Sequence, residues 1–353
     1  MSKYRTFLIL SVVLISLFGL LMIYSSSNIW ALYKYNDAFK YFKNQSVFFI
    51  LGLILMYLVS KIDYKIYFKK SNLIILTCII FLILVLIPGI GTVRNGSRSW
   101  FKIGSFGIQP SEFTKLGLII FTSKYLTKNK KMLPIILFLG FIFTLIMLQP
   151  DFGTGMVLVM SIFGILFIGG MELSFIYKLI FLGLAGITGL IIIAPYRLAR
   201  ILSFLNPWSD PLGSGFQIIQ SLYAIGPGGL FGLGLGNSIQ KYFYLPEPQT
   251  DFIFAIISEE LGIMGVIIVS ILFITIIYCG FKISINTEDN FAKYLSYGIT
   301  FSMAFQTILN LMVVVGLIPV TGVTLPFLSY GGSSLLISMI SIGILLNISK
   351  NSN

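Results

Sequence analysis

Stretches of mostly apolar residues recur along this chain at lengths suited to a bilayer, and they limit what it can fold into. A helix crossing the hydrocarbon needs about 20 such residues. Spans are predicted over 7–24, 46–60, 72–90, 113–126, 132–148, 154–170, 174–194, 252–280, 294–316 and 328–348. The fourth is short and rather polar. Hydrocarbon offers no hydrogen-bond partners, so every spanning backbone group must be satisfied within the protein, which favours helices. The expected fold is an all-α polytopic membrane protein of about ten transmembrane helices. It forms one integral-membrane domain over 1–353, with a large extracytoplasmic loop, 195–251, between helices 7 and 8.

Composition agrees. Hydrophobic residues make up 57% of the chain and charged residues 10%, too few charges to cover a soluble surface. The net charge of +12 need not mean nucleic acid, and no nucleic-acid partner is expected, because Lys and Arg collect in cytoplasmic loops beside anionic headgroups. With the N-terminus inside, the cytoplasmic segments carry the larger share, including Lys3, Arg5, Lys61, Lys65, Lys69, Lys70, Lys124, Lys128, Lys282, Lys293 and Lys350. The bias predicts a cytoplasmic-membrane protein with both termini in the cytoplasm. Six positive residues, Arg94, Arg98, Lys102, Arg197, Arg200 and Lys241, fall in the outer segments 91–112 and 195–251. There is no His, which excludes His-based catalysis. Cys78 and Cys279 lie in apolar runs and read as core residues. No cleavable signal and no strong repeat are evident.

Four polar segments carry the chemistry. In the first, Arg94, Arg98, Trp100 and Lys102 lead to Gln109-Pro110-Ser111-Glu112, with Lys115 one turn on. Pro110 reads as a helix start. The Glu112–Lys115 pair is either a capped helix turn or part of a cationic mouth for an anionic lipid headgroup. In the second, Gln149-Pro150-Asp151-Phe152-Gly153-Thr154, Asp151 is a helix cap, a pocket residue or both. The third is the long loop, with Gln217, Gln220, a glycine-rich run over 226–236 and Glu247, Thr250 and Asp251 at its end. Those glycines do not follow a strand, so a nucleotide fingerprint is excluded; they suit tight turns and close approach to a ligand. Asp251 caps the eighth span or, with its pKa raised at a wet-to-dry boundary, serves as a general base. Glu259 and Glu260 follow within that span. The fourth segment, 316–334, is irregular, polar and uncharged between two spans. It should line a cavity, with Ser329, Gly331, Gly332 and Ser333 offering groups to phosphate oxygens.

RSWFKIGSFGIQPSEFTK, QPDFGTG, FQIIQSLYAIGPGGLFGLGLG, LPEPQTDFIFAIISEELG and GLIPVTGVTLPFLSYGGSS resemble, in this order, the SEDS family of bacterial wall synthesis, whose members include the FtsW, RodA and SpoVE proteins. The likeness covers nearly the whole chain. Thr324 looks more like FtsW or its sporulation relative than RodA, where Pro is common, and the chain is expected to be most like FtsW. Family members often carry His immediately before Thr-Asp-Phe. Here Gln249 stands there, which puts more weight on Asp251.

The resemblance implies a peptidoglycan glycosyltransferase that polymerises lipid II at the outer membrane face, for cell division. A lipid II flippase or a RodA-like elongation polymerase are the alternatives. It also implies a class B penicillin-binding protein and other divisome membrane proteins as partners. The cations would hold the substrate diphosphate, and Asp251 would be the base. A divalent cation, Mg or Mn, would help neutralise the diphosphate, although no metal-ligand cluster is visible in the sequence.

Overall fold

The computed structural model describes residues 2–350, apart from 95, 105, 130, 214 and most of 173–203. Within them the helices are α1 (Ser2–Tyr35), α2 (Lys40–Lys61), α3 (Lys65–Leu86), α4 (Pro110–Lys128), α5 (Leu133–Met147), α6 (Phe152–Ile168), α7 (Phe216–Ile225), α8 (Ile253–Ile285), α9 (Asn290–Val314) and α10 (Gly332–Ile348). All the predicted spans coincide with helices except 174–194, which lies mostly outside the described residues. Arg197 and Arg200 lie outside them too. α1, α2, α3, α8 and α9 are long and apolar enough to cross a membrane, while α5, α6 and α10 are shorter apolar helices. The fold is that of a multi-pass membrane protein.

Three details differ from the sequence reading. First, α1 has 34 residues, about 50 Å at 1.5 Å per residue, well beyond a hydrocarbon core of roughly 30 Å. Ser25-Ser26-Ser27 does not end α1. The Ser26 and Ser27 hydroxyls donate to the Ile23 carbonyl and Ser25 donates to Glu260, so all three are buried and satisfied. Second, α4 is buried along most of its length. α3, α6, α9 and α10 surround it, and protein rather than lipid is the solvent for its Ser, Thr, Glu and Lys side chains. That accounts for its polar sequence. Third, segment 91–112 is not a plain loop. β1 (Thr92–Arg94), β2 (Ser97–Ile103) and β3 (Phe106–Ile108) form an antiparallel sheet in the order β1-β2-β3, with Arg94 opposite Ser97 and Phe101 opposite Ile108.

The two ends of the bundle differ in charge. At one end the Tyr4 ring meets Tyr278, Tyr64 N donates to Asn347 Oδ1 at 3.0 Å and Lys350 Nζ donates to the Ser60 carbonyl at 2.7 Å. Both ends of the described chain therefore meet there, beside the α2–α3 connection. The opposite end holds the sheet, the 226–251 segment and the irregular 315–331 segment.

α8 is not continuous. Gly262 has φ 61° and ψ −156° inside it, a conformation open essentially to glycine. The groups freed by this break find partners in the glycine-rich run. Leu233 N and Gly234 N donate to the carbonyls of Glu259 and Glu260, both at 2.9 Å, and Ile263 N and Met264 N donate to those of Gly229 and Leu230 at 3.0 and 3.2 Å. The glycines thus allow close approach to a broken helix. A Cβ on Gly232 would lie 2.2 Å from the Glu260 carbonyl oxygen.

Candidate active site

Asp251 lies half-buried just before α8. The N-cap of that helix is Phe252, so Asp251 is not its capping residue. Its Oδ1 lies 2.8 Å from Thr250 Oγ1, whose single proton is shared between this oxygen and the Glu247 carbonyl at 2.7 Å. Glu247 itself is exposed, at a positive φ of 44°. The Asp251 carbonyl accepts from Asn310 Nδ2 at 2.7 Å, and the same amide donates to the Val323 carbonyl at 2.7 Å. Tyr330 N donates to the Gln249 carbonyl at 2.8 Å. Two segments far apart in sequence, 245–251 and 321–331, are therefore joined beside Asp251, directly at Gln249 and at Asp251 through the Asn310 side chain. Gln249 is buried, and its Oε1 has no partner among the described residues.

The other motifs meet the same irregular segment. Gln109 N donates to Ser333 Oγ, which donates to the Gly107 carbonyl, both at 3.1 Å. Gln109 Nε2 donates to Asp151 Oδ2 at 2.8 Å and Ser111 Oγ does so at 3.4 Å. Asp151 Oδ1 caps α6 through Thr154 N at 3.2 Å, so the capping expectation holds. Burial pushes the Asp151 carboxyl above its ordinary pKa, against the hydrogen bonds from Thr154 and Gln109. Gly153 packs so closely that a Cβ there would lie 2.4 Å from the Thr321 carbonyl oxygen.

Deeper in the bundle, Lys115 Nζ lies 3.0 Å from Glu112 Oε2 and 2.7 Å from Gln306 Oε1. Gln306 Nε2 continues to the Thr324 carbonyl at 2.9 Å, and Thr324 Oγ1 donates to Ser334 Oγ at 3.4 Å. Both charged side chains are more than nine-tenths buried and line a cavity of about 30 Å³ with Gln306, Ser302, Ser338 and Ser341. That is room for a water molecule with several polar partners.

The sheet presents three of the cations. The Arg94 guanidinium lies 4.8 Å from the centre of the Trp100 ring, Arg98 Nη1 donates to the Leu86 carbonyl at 3.4 Å, and Lys102 is exposed. Lys241 does not join them. It is 3% exposed, pairs with Glu260 Oε1 at 3.4 Å and donates to the Gly236 carbonyl. Its charge balances a buried glutamate, which removes it as a free cation for a diphosphate. The phosphate-binding expectation for the fourth segment changes likewise. Ser329 Oγ accepts from Leu325 N, Gly331 N donates to Gln45 Oε1, and Gly332 opens α10 against the Phe48 ring. These groups hold the segment's own irregular backbone. Gln217 and Gln220 are half-buried on α7, which packs on α8 and α9. Gln45, Gln306 and Asn310 lie outside the four polar segments. Each is an uncharged polar residue inside a span, a feature that itself calls for a partner.

The model of one family, described as the cell cycle protein family FtsW/RodA/SpoVE, matches residues 5–353. The chain belongs to this family. It is 49% identical to stage V sporulation protein E of Bacillus subtilis over 98% of this chain and 96% of that protein. It is 38% identical to a probable peptidoglycan glycosyltransferase FtsW of a Geobacter species over 98% of this chain and 96% of the relative. Among solved structures, a chain described under structural coordination of polymerization and crosslinking by a peptidoglycan synthase complex superposes with a TM-score of 0.78. It is 29% identical, covering 98% of this chain and 97% of that one. The greater identity to the sporulation protein means that a closest likeness to FtsW does not follow from membership of the FtsW/RodA/SpoVE family.

Proposed function

We propose that the chain is a glycosyltransferase that polymerises lipid II into β-1,4 glycan strands at the outer face of the cytoplasmic membrane. The names of the relatives support the class. The observation that carries the assignment of residues is the convergence on Asp251. This carboxylate is half-buried, is not the helix cap, and sits where 245–251 and 321–331 are tied together.

The substrate is a polyprenyl diphosphate, and the reaction inverts the sugar carbon. Asp251 takes the proton from the acceptor 4-hydroxyl. The diphosphate leaves as an anion, so cationic charge substitutes for a general acid. Arg94, Arg98 and Lys102 on the sheet supply it, beside the half-buried ring of Trp100. One essential carboxylate then suffices, unlike the pair of a glycosidase. Among the described residues no three His, Cys, Asp or Glu gather in a metal cluster. Magnesium needs only one or two carboxylates plus substrate phosphates, and Asp251 with the diphosphate fits that mode; a bound Mg or Mn would add charge neutralisation to the leaving group.

Within the family we assign the chain to the division and sporulation branch rather than to RodA-like elongation. Thr324 and the identities of 49% to the sporulation protein and 38% to FtsW support this. A class B penicillin-binding protein is the expected partner. A lipid II flippase would use the same cations but needs no base.

Asp251→Asn separates these readings. Asn keeps the size of the side chain but cannot accept a proton at neutral pH. Purified variant should insert and bind lipid II, with glycan synthesis reduced by roughly 10²–10⁴-fold. Near-normal polymerisation at matched protein levels would sink the catalytic assignment. Absence of polymerisation by the parent protein, with its partner present, would favour the flippase.

A further inference from the structure

A cavity at the lysine-rich end of the bundle lies between α3 and α4, at the opposite end from Asp251. Its volume is about 290 Å³, and Asn72, Phe121, Lys124, Tyr125, Lys128 and Asn129 line it. The α4 residues 121, 124, 125 and 128 recur at helical spacing, which puts them on one face. Lys124 Nζ and Lys128 Nζ lie 5.5 and 5.4 Å from the centre of the Phe68 ring, and Lys124 also donates to Asn72 Oδ1 at 3.1 Å. Among the described residues neither lysine pairs with a carboxylate. Two like charges beside one ring repel each other, and an anion shared between them would reverse that cost.

The surroundings say which anion. Leu73, Leu76 and Ile80 are exposed on α3 and run at helical spacing from beside Asn72 along the lipid-facing surface. The cavity is thus a cationic, amide-lined head with an apolar track starting beside Asn72. We propose that it is a binding site for an anionic phospholipid of that leaflet, with the headgroup phosphate between Lys124, Lys128 and Asn72 and an acyl chain along Leu73, Leu76 and Ile80. Basic pockets between transmembrane helices suit such headgroups. The site holds whether or not Asp251 is the base.

The test uses the full chain in neutral micelles, titrated with phosphatidylglycerol and followed by native mass spectrometry. Bound lipid should appear at lower concentration than with phosphatidylcholine. Lys124→Gln/Lys128→Gln should weaken the phosphatidylglycerol affinity roughly 30-fold, from about 1 kcal/mol per lysine. Lys282→Gln/Lys293→Gln removes the same charge from the same end, outside the cavity, and should leave the affinity within about twofold. Glycerol phosphate, the headgroup without chains, should not compete. Equal losses in the two double variants would reduce the effect to general surface charge and overturn the site. Competition by glycerol phosphate at equal concentration would overturn the lipid as its occupant.

Discussion

Glu112 and Lys115 show how a charged pair is tolerated inside this bundle. Taking two ions out of water costs several kcal/mol each, recovered only by good geometry and further hydrogen bonds. Here the 3.0 Å contact is joined by Gln306. Lys115→Met should destabilise the protein by about 3–5 kcal/mol, because Glu112 is left buried and uncompensated. Glu112→Gln/Lys115→Met should recover most of that stability, since no lone charge remains. Thermal unfolding in detergent, run beside a polymerisation assay, separates structure from function. If the pair serves the reaction, the double variant regains its melting temperature but not its activity. Regained activity would leave the pair a structural role alone. The sequence showed the pair because its spacing is local. It could not show Gln306, nor Asn310 beneath Asp251, because their partners lie on elements whose packing no single-sequence spacing encodes.

At the scale of elements, the junction between the glycine-rich run and α8 gives a sharp comparison. Gly232 and Gly236 both have positive φ, 77° and 82°. A Cβ at 236 would meet nothing within 4 Å, whereas one at 232 would press on the Glu260 carbonyl. Gly236→Ala should cost about 1–3 kcal/mol, from backbone strain alone. Gly232→Ala should cost distinctly more, because the helix junction must open. Equal losses of thermal stability would mean that the junction contributes little. The helices themselves were legible because lipid leaves a chain few alternatives: an apolar run either spans or is buried. The sheet was less so. Residues 97–103 alternate as a strand should, with Arg98, Trp100 and Lys102 on one face, yet β1 and β3 are three residues each, too short to carry a period. The break in α8 was hidden for a different reason. Gly262 reads as one more small residue in an apolar run, and only the docked loop makes its conformation necessary.

For the whole molecule, the charge asymmetry between the two ends predicts the orientation. The lysine-rich end should face the cytoplasm, which puts the sheet and Asp251 outside. Leu212 is 89% exposed in the long loop, while Cys78 and Cys279 are buried free thiols. Leu212→Cys should therefore react with an impermeant maleimide in intact spheroplasts against a low background. Labelling only after lysis would reverse the orientation and move the proposed active site to the wrong side for wall synthesis. The order of residues in the broken helix also bears on how such a protein enters the membrane. A carboxylate inside a membrane span is costly unless it finds partners, and α8 carries two in succession, Glu259 and Glu260, just before its break. Ser25, Ser238 and Lys241, the groups that meet Glu259 and Glu260, all precede them in the chain. The ribosome thus delivers one counter-charge and two hydrogen-bond donors before the carboxylates that need them, so the span can be assembled against waiting partners rather than threaded alone through the translocon.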